Sequence, residues 1–540
     1  MTKGLRVTPR RTLDGTDVAV VVILLAATGL YASGCLTWSL HPFEDAAILM
    51  RYALHAAEGH GIVWNVGEAP VDGATDFLFM VVVAGLARLG LTVEGAVRMV
   101  CLASHFLTVA LVYLGVRRLH GASRWLAALS AAYLAVGPGL RFAAAYFGTP
   151  FFVVFVVVTW WLAFRLRDGA GRWTPALFAL SGLTMGLIRP EGVFLTLLML
   201  GAVVWWRGLR GSWKAVAWTA GVFLVLGGAY FAWRWHYFGH PLPNPFYKKG
   251  GGALYWDGLS WAVRIAGKAC LPFGLAYVAA LRSREATRRA IFSLIPAAGF
   301  VALWLLLSPE GNYFGRFQYA VLPIVLMAWP GLVEGIARDW RLPPWGELGR
   351  RQRVALAALA AVVAVGVVGY HHRLSRMPIR SQDGRYQAAM LLRQYRGKGY
   401  TMAVSEAGLL PFVSRWRAVD TWGLNDPWIA HHGGLTAEYL GRHRPEVVMF
   451  HAYFSPVATE GRSDAWNAMC LTLKRYAEQR GYVHAAAFGE TPYDCHHYYV
   501  RPGCPDAAAL VAGIRALDYT WMSSGRRAVN FALLGETGPR

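Results

Sequence analysis

Charge is what this sequence has little of. Only 16% of its 540 residues are Asp, Glu, Lys or Arg, while 56% are hydrophobic. Water-soluble proteins carry roughly 25% charged residues, so the chain lacks the polar surface that water would require. Acid is scarcer than base: 31 Asp and Glu stand against 53 Lys and Arg, for a net charge of +22. That excess does not point to nucleic acid, because the basic residues lie in short clusters between apolar runs ("RVTPRR", "RSREATRR", "RDWRLPP", "RRQR"). Such spacing follows the positive-inside bias and the anionic lipid surface. Cysteine is sparse, at six residues, with no Cys-x-x-Cys pair. Cys35, Cys101 and Cys270 sit in apolar segments and read as inert thiols. Cys470, Cys495 and Cys504 lie in the polar C-terminal part, where one disulfide is compatible with an outer compartment and an odd count leaves its pairing open. No internal repeat is present.

What is there in abundance is apolar sequence. Runs at about 18–38, 76–90, 96–116, 124–140, 150–165, 174–188, 192–206, 214–235, 259–281, 289–307, 318–336 and 354–370 approach the length needed to cross ~30 Å of hydrocarbon. The first is too long for a cleaved signal and reads as a signal anchor. Arg-rich 282–289 and 338–353 place those loops in the cytoplasm. Segments 237–258 and 308–317, and everything after 371, then face outward. With the Arg-rich N-terminus inside, the number of crossings is odd, and eleven is the expected count. Beyond residue 371 short Val-, Tyr- and Phe-rich runs alternate with helical stretches, as in "YTMAVSEAGLLPFVS" and "AWNAMCLTLKRYAEQR". This predicts a small α/β domain. The expected fold is thus an α-helical polytopic membrane protein, residues 1–370, followed by an extracytoplasmic α/β domain, residues 371–540.

Six carboxylates, Glu44, Asp45, Glu58, Glu68, Asp72 and Asp76, cluster in 41–77, just where the chain leaves the bilayer. From Asp45 the apolar positions Leu49, Tyr52, Ala53 and Ala56 recur at helical spacing, predicting an amphipathic helix at the outer membrane surface. Asp45 could simply cap that helix, with Glu44 complementing its dipole; the alternative is chemistry. Lys248 and Lys249, Arg316 and Arg189 stand in other outward segments. Each could be a snorkelling cation, yet the positive-inside bias makes several outer cations unexpected. Together with the carboxylates they fit a site that holds an anionic lipid-linked head group.

Those segments resemble a family. "EDAAILMRYALHAAEGHGIVWNVGEAPVDGATDF", "YFGHPLPNPFYKK", "GLIRPEG", "GNYFGRFQYAVLP" and "VSEAGLLPFVS…AVDTWGLNDPWIA" are similar, in order and number, to blocks of GT-C glycosyltransferases of the terminal arabinofuranosyltransferase (AftB-like) type. The resemblance covers about residues 40–450. It departs where the family's first carboxylate becomes Glu44, where a Gly-Gly-Asp aspartate becomes Asn312, and where a glutamate becomes Gly148.

The resemblance implies a bacterial plasma-membrane enzyme that moves a sugar from a polyprenyl-phosphate donor to a cell-envelope glycan. In such a reaction a carboxylate takes the acceptor's proton and cations hold the leaving phosphate. Asp45, supported by Glu44, is then the expected base. Arg316, Lys248, Lys249 and Arg189 are expected at the donor phosphate. His60, Trp64, Asn244 and Tyr247 are expected at the sugar or acceptor. No metal ligand is assigned, although a divalent metal is compatible with the chemistry, and the partners are donor, glycan and membrane lipid rather than nucleic acid. Two other readings stand beside this one: a lipid or small-molecule transporter or flippase, for which paired halves and midplane charges are missing, and a non-catalytic GT-C scaffold in envelope assembly, which the Asn312 and Gly148 departures would suit.

Overall fold

The computed structural model describes residues 12–37, 40–169, 171–249, 253–339, 347–375, 382–453 and 464–534. The basic clusters at 6–11 and 340–344 and residues 376–381, which follow the expected boundary at 371, lie outside the described residues.

Among the described residues, eight helices are long and apolar enough to cross a membrane: Gly15–Cys35, Val93–His120, Arg124–Ala144, Thr149–Arg167, Glu191–Phe238, Trp256–Ala280, Arg284–Leu305 and Tyr313–Ala337. Eleven crossings were expected; these eight are counted by length and composition alone, and the remaining apolar runs lie in the following helices. The segments at 76–90 and 174–188 form helices of only 12 and 15 residues, Phe77–Arg88 and Thr174–Ile188. At 1.5 Å per residue these reach about 18 and 22 Å. The runs at 192–206 and 214–235 join into one 48-residue element, broken where Gly208 adopts φ 73° and ψ 164°. The run at 354–370 lies in a further helix, Arg350–Ser375. The protein is a multi-pass membrane protein.

A buried ion pair fastens the first helix to the third apolar segment. Asp17 accepts from Arg117 Nε at 2.7 Å and Nη2 at 3.1 Å, and from the Tyr113 hydroxyl at 2.7 Å. Leaving any of these groups unmatched would strand a buried charge, so the pairing specifies which helices meet.

The C-terminal region carries a six-stranded mixed sheet. Its elements in chain order are β1 Thr401–Val404, β2 Arg417–Asp420, β3 Val447–Tyr453, β4 Val483–Thr491, β5 Asp494–Val500, β6 Thr520–Trp521, β7 Arg526–Arg527 and β8 Val529–Asn530. The spatial order is β2-β1-β3-β5-β4-β8, with β6 and β7 forming a separate ribbon. β1 runs parallel to β2 and β3, and the pairs β3/β5, β4/β5 and β4/β8 are antiparallel. Side chains alternate between faces. Ala403, Val448 and Phe450 pack with Trp466, Met469 and Leu473 of the helix Asp464–Gln479. Met402, Val404, Val447 and Met449 face the other way, into a core continuous with the membrane helices.

That continuity passes through the helix Glu44–Ala57. An amphipathic helix lying on the membrane surface was expected. Instead nine of its fourteen residues are buried, Arg51 and His55 among them, because the short helix Leu409–Ser414 covers its outer side and Phe77–Arg88 lies against it. All six cysteines are free thiols. The disulfide considered in the C-terminal part does not form: Cys470 Sγ contacts the His451 carbonyl at 3.3 Å and Cys495 Sγ that of Thr491 at 3.1 Å.

Candidate active site

Asp45 occupies the second position of its helix. The N-cap is Phe43, and no side chain caps the helix, so Asp45 is not the cap it could have been. Its carboxylate turns instead toward the loop 308–317. That loop is compacted by three residues with positive φ: Gly311 (79°), Phe314 (59°) and Gly315 (71°). Phe314 is a large side chain in a region L-residues rarely occupy, a cost that packed surroundings must offset. Gly311 lies at the meeting point. A methyl group there would stand 3.3 Å from Asp45 Oδ2, 3.4 Å from Arg316 Nη2 and 3.6 Å from Lys249 Nζ. Three charges from segments far apart in sequence thus converge on one side-chain-free residue.

The pairing within this group is loose. Arg316 Nη2 donates to Asp45 Oδ2 at 3.4 Å, near the limit of a hydrogen bond. Lys249 Nζ donates to the Glu310 carbonyl at 3.2 Å and lies 3.8 Å from Glu310 Oε1. The Arg316 guanidinium stacks over Phe147 at 4.0 Å and beside Phe317 at 5.1 Å, and its buried Nε has no hydrogen-bond partner among the described residues. Burial pushes the Asp45 carboxyl above its ordinary value, while Arg316 and Lys249 pull it back and Glu310 raises it. The result is a carboxylate with spare acceptor capacity beside a guanidinium with spare donors.

The other expected residues are placed differently. Arg189 is already balanced: Nε donates to Glu191 Oε1 at 2.7 Å and Nη1 lies 3.5 Å from Asp76 Oδ1. Lys248 turns its ammonium onto the Trp422 ring at 4.0 Å, so of the two neighbouring lysines it is Lys249 that lies at Gly311 with Asp45 and Arg316. Glu44, expected to support Asp45, points the opposite way. Its Oε1 accepts from the backbone of Gly408 at 2.5 Å and Leu409 at 3.2 Å, and Oε2 lies 3.7 Å from Arg385. Gly408 is needed there, since a Cβ would stand 1.9 Å from the Glu44 carbonyl oxygen.

Trp64 is buried, with its indole nitrogen donating to the Ala418 carbonyl at 2.8 Å. It is therefore not presented to a sugar. Asn244 is spent likewise, donating to the carbonyls of Gly423 at 2.9 Å and Leu424 at 3.0 Å. Tyr247 packs on His431, with ring centroids 4.3 Å apart. His60 follows the far end of the helix, about 20 Å along its axis from Asp45, and lies 4.0 Å from Glu58. Trp64 and Asn244 join the membrane part to the C-terminal region, because hydrogen-bonding side chains at such a junction must satisfy buried backbone groups. Arg51 is the strongest case: it donates to the carbonyls of Trp64 at 2.8 Å and Trp416 at 2.9 Å, to Asn65 Oδ1 at 3.0 Å, and to the Pro411 carbonyl.

Glu310, Asp76 and Arg385 were not singled out as site residues. Asp76 lay within the quoted carboxylate cluster; Glu310, in "SPEGN", and Arg385 have no local signal, because their partners come from distant segments. The two departures also have structural readings. Asn312 donates to Gln318 Oε1 at 2.7 Å and accepts from the Phe317 backbone at 3.1 Å, which holds the loop carrying Arg316. A Cβ on Gly148 would stand 2.6 Å from the Phe79 ring, so no longer side chain fits without moving it.

Comparison with known proteins adds the fold's relatives. Residues 376–502 match a family described as a domain of unknown function (DUF8728). The chain has no significant sequence match among curated proteins. Among solved structures it is similar to ArnT from Cupriavidus metallidurans in the apo state, with TM-score 0.54, 13% identity, and 92% of this chain and 99% of that one covered. The same protein bound to undecaprenyl phosphate gives 0.50 at 14% identity, covering 90% and 98%. An oligosaccharyltransferase from Archaeoglobus fulgidus gives 0.51 at 12% identity, covering 91% and 75%. Arabinofuranosyltransferase AftD from Mycobacteria gives 0.50 at 16% identity, covering 92% of this chain and 40% of that one. At these identities the likeness is one of architecture: the chain has a GT-C-type membrane fold with a C-terminal α/β region.

Proposed function

We propose that the protein is a membrane glycosyltransferase that moves a sugar, arabinofuranose by the resemblance of its loops, from a polyprenyl-phosphate donor to a glycan acceptor at the outer face of a bacterial plasma membrane. The observation that carries this reading is the convergence of Asp45, Arg316 and Lys249 around Gly311. The ArnT structure with undecaprenyl phosphate and the arabinofuranosyltransferase AftD, both similar in fold, lend it support.

The chemistry follows from the charges. An acceptor hydroxyl attacks the anomeric carbon, a new C–O bond forms, and the bond from that carbon to the phosphate oxygen breaks. Asp45 takes the hydroxyl proton as general base. Arg316 and Lys249 neutralise the phosphate as it leaves. Before the donor arrives, Arg316 favours the ionised form of Asp45 against burial, which raises its pKa. Once a phosphate engages Arg316 and Lys249, that attraction weakens, and burial lifts the carboxyl's proton affinity just as it must accept a proton. Glu310 holds the Lys249 ammonium through its carbonyl at 3.2 Å, with Oε1 at 3.8 Å. A divalent metal is not required by this step.

The reading places residues 371–540 outside the cytoplasm. A reporter fused after Arg540 and active only in the cytoplasm should stay silent. Transfer of radiolabelled sugar from a polyprenyl-phosphate arabinofuranose, by protein in nanodiscs, tests the reaction. Label in a glycan product is the expected result. Tight donor binding without any transfer or hydrolysis would leave a scaffold, and movement of intact donor between leaflets would leave a flippase.

A further inference from the structure

The middle of the C-terminal sheet, where β3 pairs with β5, holds a polar cluster that the proposed reaction does not use. Glu406, from the loop after β1, His451 on β3 and His496 on β5 are all buried, and one ligand-type atom of each lies within 4.8 Å of the others. His451 and His496 are direct cross-strand partners, so the sheet register fixes them on one face. We propose that these three residues bind a single divalent transition-metal ion, with zinc best suited to two imidazoles and a carboxylate.

The surroundings of each ligand carry the inference. Metal-binding histidines commonly donate their second ring N–H to a carboxylate or other acceptor, which fixes the tautomer. His451 Nε2 lies 2.7 Å from Asp494 Oδ1. When that N–H donates, the lone pair is left on Nδ1, which lies 2.8 Å from Glu406 Oε1. His496 Nδ1 lies 2.7 Å from the Tyr519 hydroxyl, which leaves Nε2 as its ligand atom. Glu406 is oriented in turn by Arg385, paired with its other oxygen. Both histidines thus have an outer partner on the nitrogen away from the ion. With bonds of about 2.0–2.1 Å, ligand atoms sit about 3.3 Å apart, so the widest edge of the triangle closes by about 1.5 Å through side-chain rotation.

Arg385 pairs with Glu406, Asp383 and Glu44, so it ties the candidate ligand Glu406 to two further buried carboxylates. The ion would also brace the junction, since Arg385 links Glu406 to Glu44 and so to the helix carrying Asp45. The opposing arrangement is a protonated His451 held between Glu406 and Asp494, with no metal and no part for His496.

Full-length protein in nanodiscs, freed of any histidine tag and stripped with chelator, would be titrated with Co²⁺ and then Zn²⁺. One Co²⁺ per chain is expected, with a d–d absorption band that Zn²⁺ abolishes. His496→Gln and Glu406→Gln should weaken binding by at least 100-fold. Tyr519→Phe keeps the ring that stacks on Phe488 at 4.3 Å and should weaken binding by roughly 10–100-fold. Should the ligand variants fail to fold, the wild-type stoichiometry and Tyr519→Phe decide. Absence of stoichiometric Co²⁺ and Zn²⁺ binding by the wild type overturns the site, as does unchanged affinity in a folded His496→Gln protein. Neither readout depends on sugar transfer.

Discussion

Glu44 and Asp45 are chain neighbours with opposite surroundings. Glu44 is saturated: two backbone donors and Arg385 use its oxygens, and it holds the C-terminal region onto the helix Glu44–Ala57. Asp45 has one long contact to Arg316 and spare acceptor capacity. A helix turns about 100° per residue, so consecutive side chains face different neighbours, one the sheet region and one the loop 308–317. The difference teaches that a carboxylate with every bond made belongs to the architecture, while one left partly unmatched is available for chemistry.

The largest expected effect would break or uphold that contrast directly. Asp45→Asn should lower sugar transfer by roughly 10²–10⁴-fold, the range for loss of a general base. Because Asp45 caps nothing, the unfolding temperature should hardly move. Near-normal turnover by a stable Asp45→Asn protein would end its assignment as base.

Glu44→Ala should do the reverse. It strands the Gly408 and Leu409 N–H groups in a buried junction, at about 1–3 kcal/mol each, and leaves Arg385 short of one partner. Loss of protease protection in the C-terminal region, before any loss of donor binding, is the expected signature. A Glu44→Ala protein as stable as wild type would place the junction's strength elsewhere.

Arg316→Ala sharpens the comparison among cations. It should cost about 1.5–3 kcal/mol of donor binding, or roughly 10–150-fold in affinity for a polyprenyl-phosphate analogue. Lys249→Met should lower affinity less than Arg316→Ala, and Lys248→Met, which removes a charge from the Trp422 ring, least of all. Equal effects at Lys248 and Lys249 would show that the geometry around Gly311 does not select between them.

The smallest effect is on pH. Asp45 must be ionised to act, so transfer falls as pH drops through its pKa. Burial raises that pKa and Arg316 opposes the rise. The acid limb of the rate profile should therefore lie above the ordinary carboxylate range, and in Arg316→Ala it should move further up. An acid limb unmoved by that substitution would mean the two charges are not coupled.

Much of the architecture was legible beforehand. Apolar runs mark the membrane helices because hydrocarbon tolerates nothing else over such lengths. The run at 76–90 forms a helix of only 12 residues, and the runs at 192–206 and 214–235 form one element interrupted at Gly208, because hydropathy reports composition and not where a helix starts, stops or breaks. In the candidate site Asp45, Arg316 and Lys249 were legible as charges in segments between apolar runs. Trp64 and Asn244, expected at the sugar, are instead consumed at a junction with Ala418, Gly423 and Leu424, more than 170 residues away in the chain. No local pattern distinguishes an indole that stacks on a ligand from one that bonds a distant carbonyl.

By itself the sequence determined that this is a membrane protein of many helices with a mixed C-terminal region, and that its carboxylates and several of its cations gather in segments between apolar runs. Those are properties of composition and of spacing along the chain, where the free energy of burying each segment is set by its own residues. Only the tertiary structure decided that Glu44 is spent while Asp45 is not, that Lys249 rather than Lys248 lies with Asp45 and Arg316 at Gly311, and that Glu406, His451 and His496 meet. A side chain's role depends on the groups opposite it, and here those groups arrive from as far as 365 residues away, Glu44 meeting Leu409.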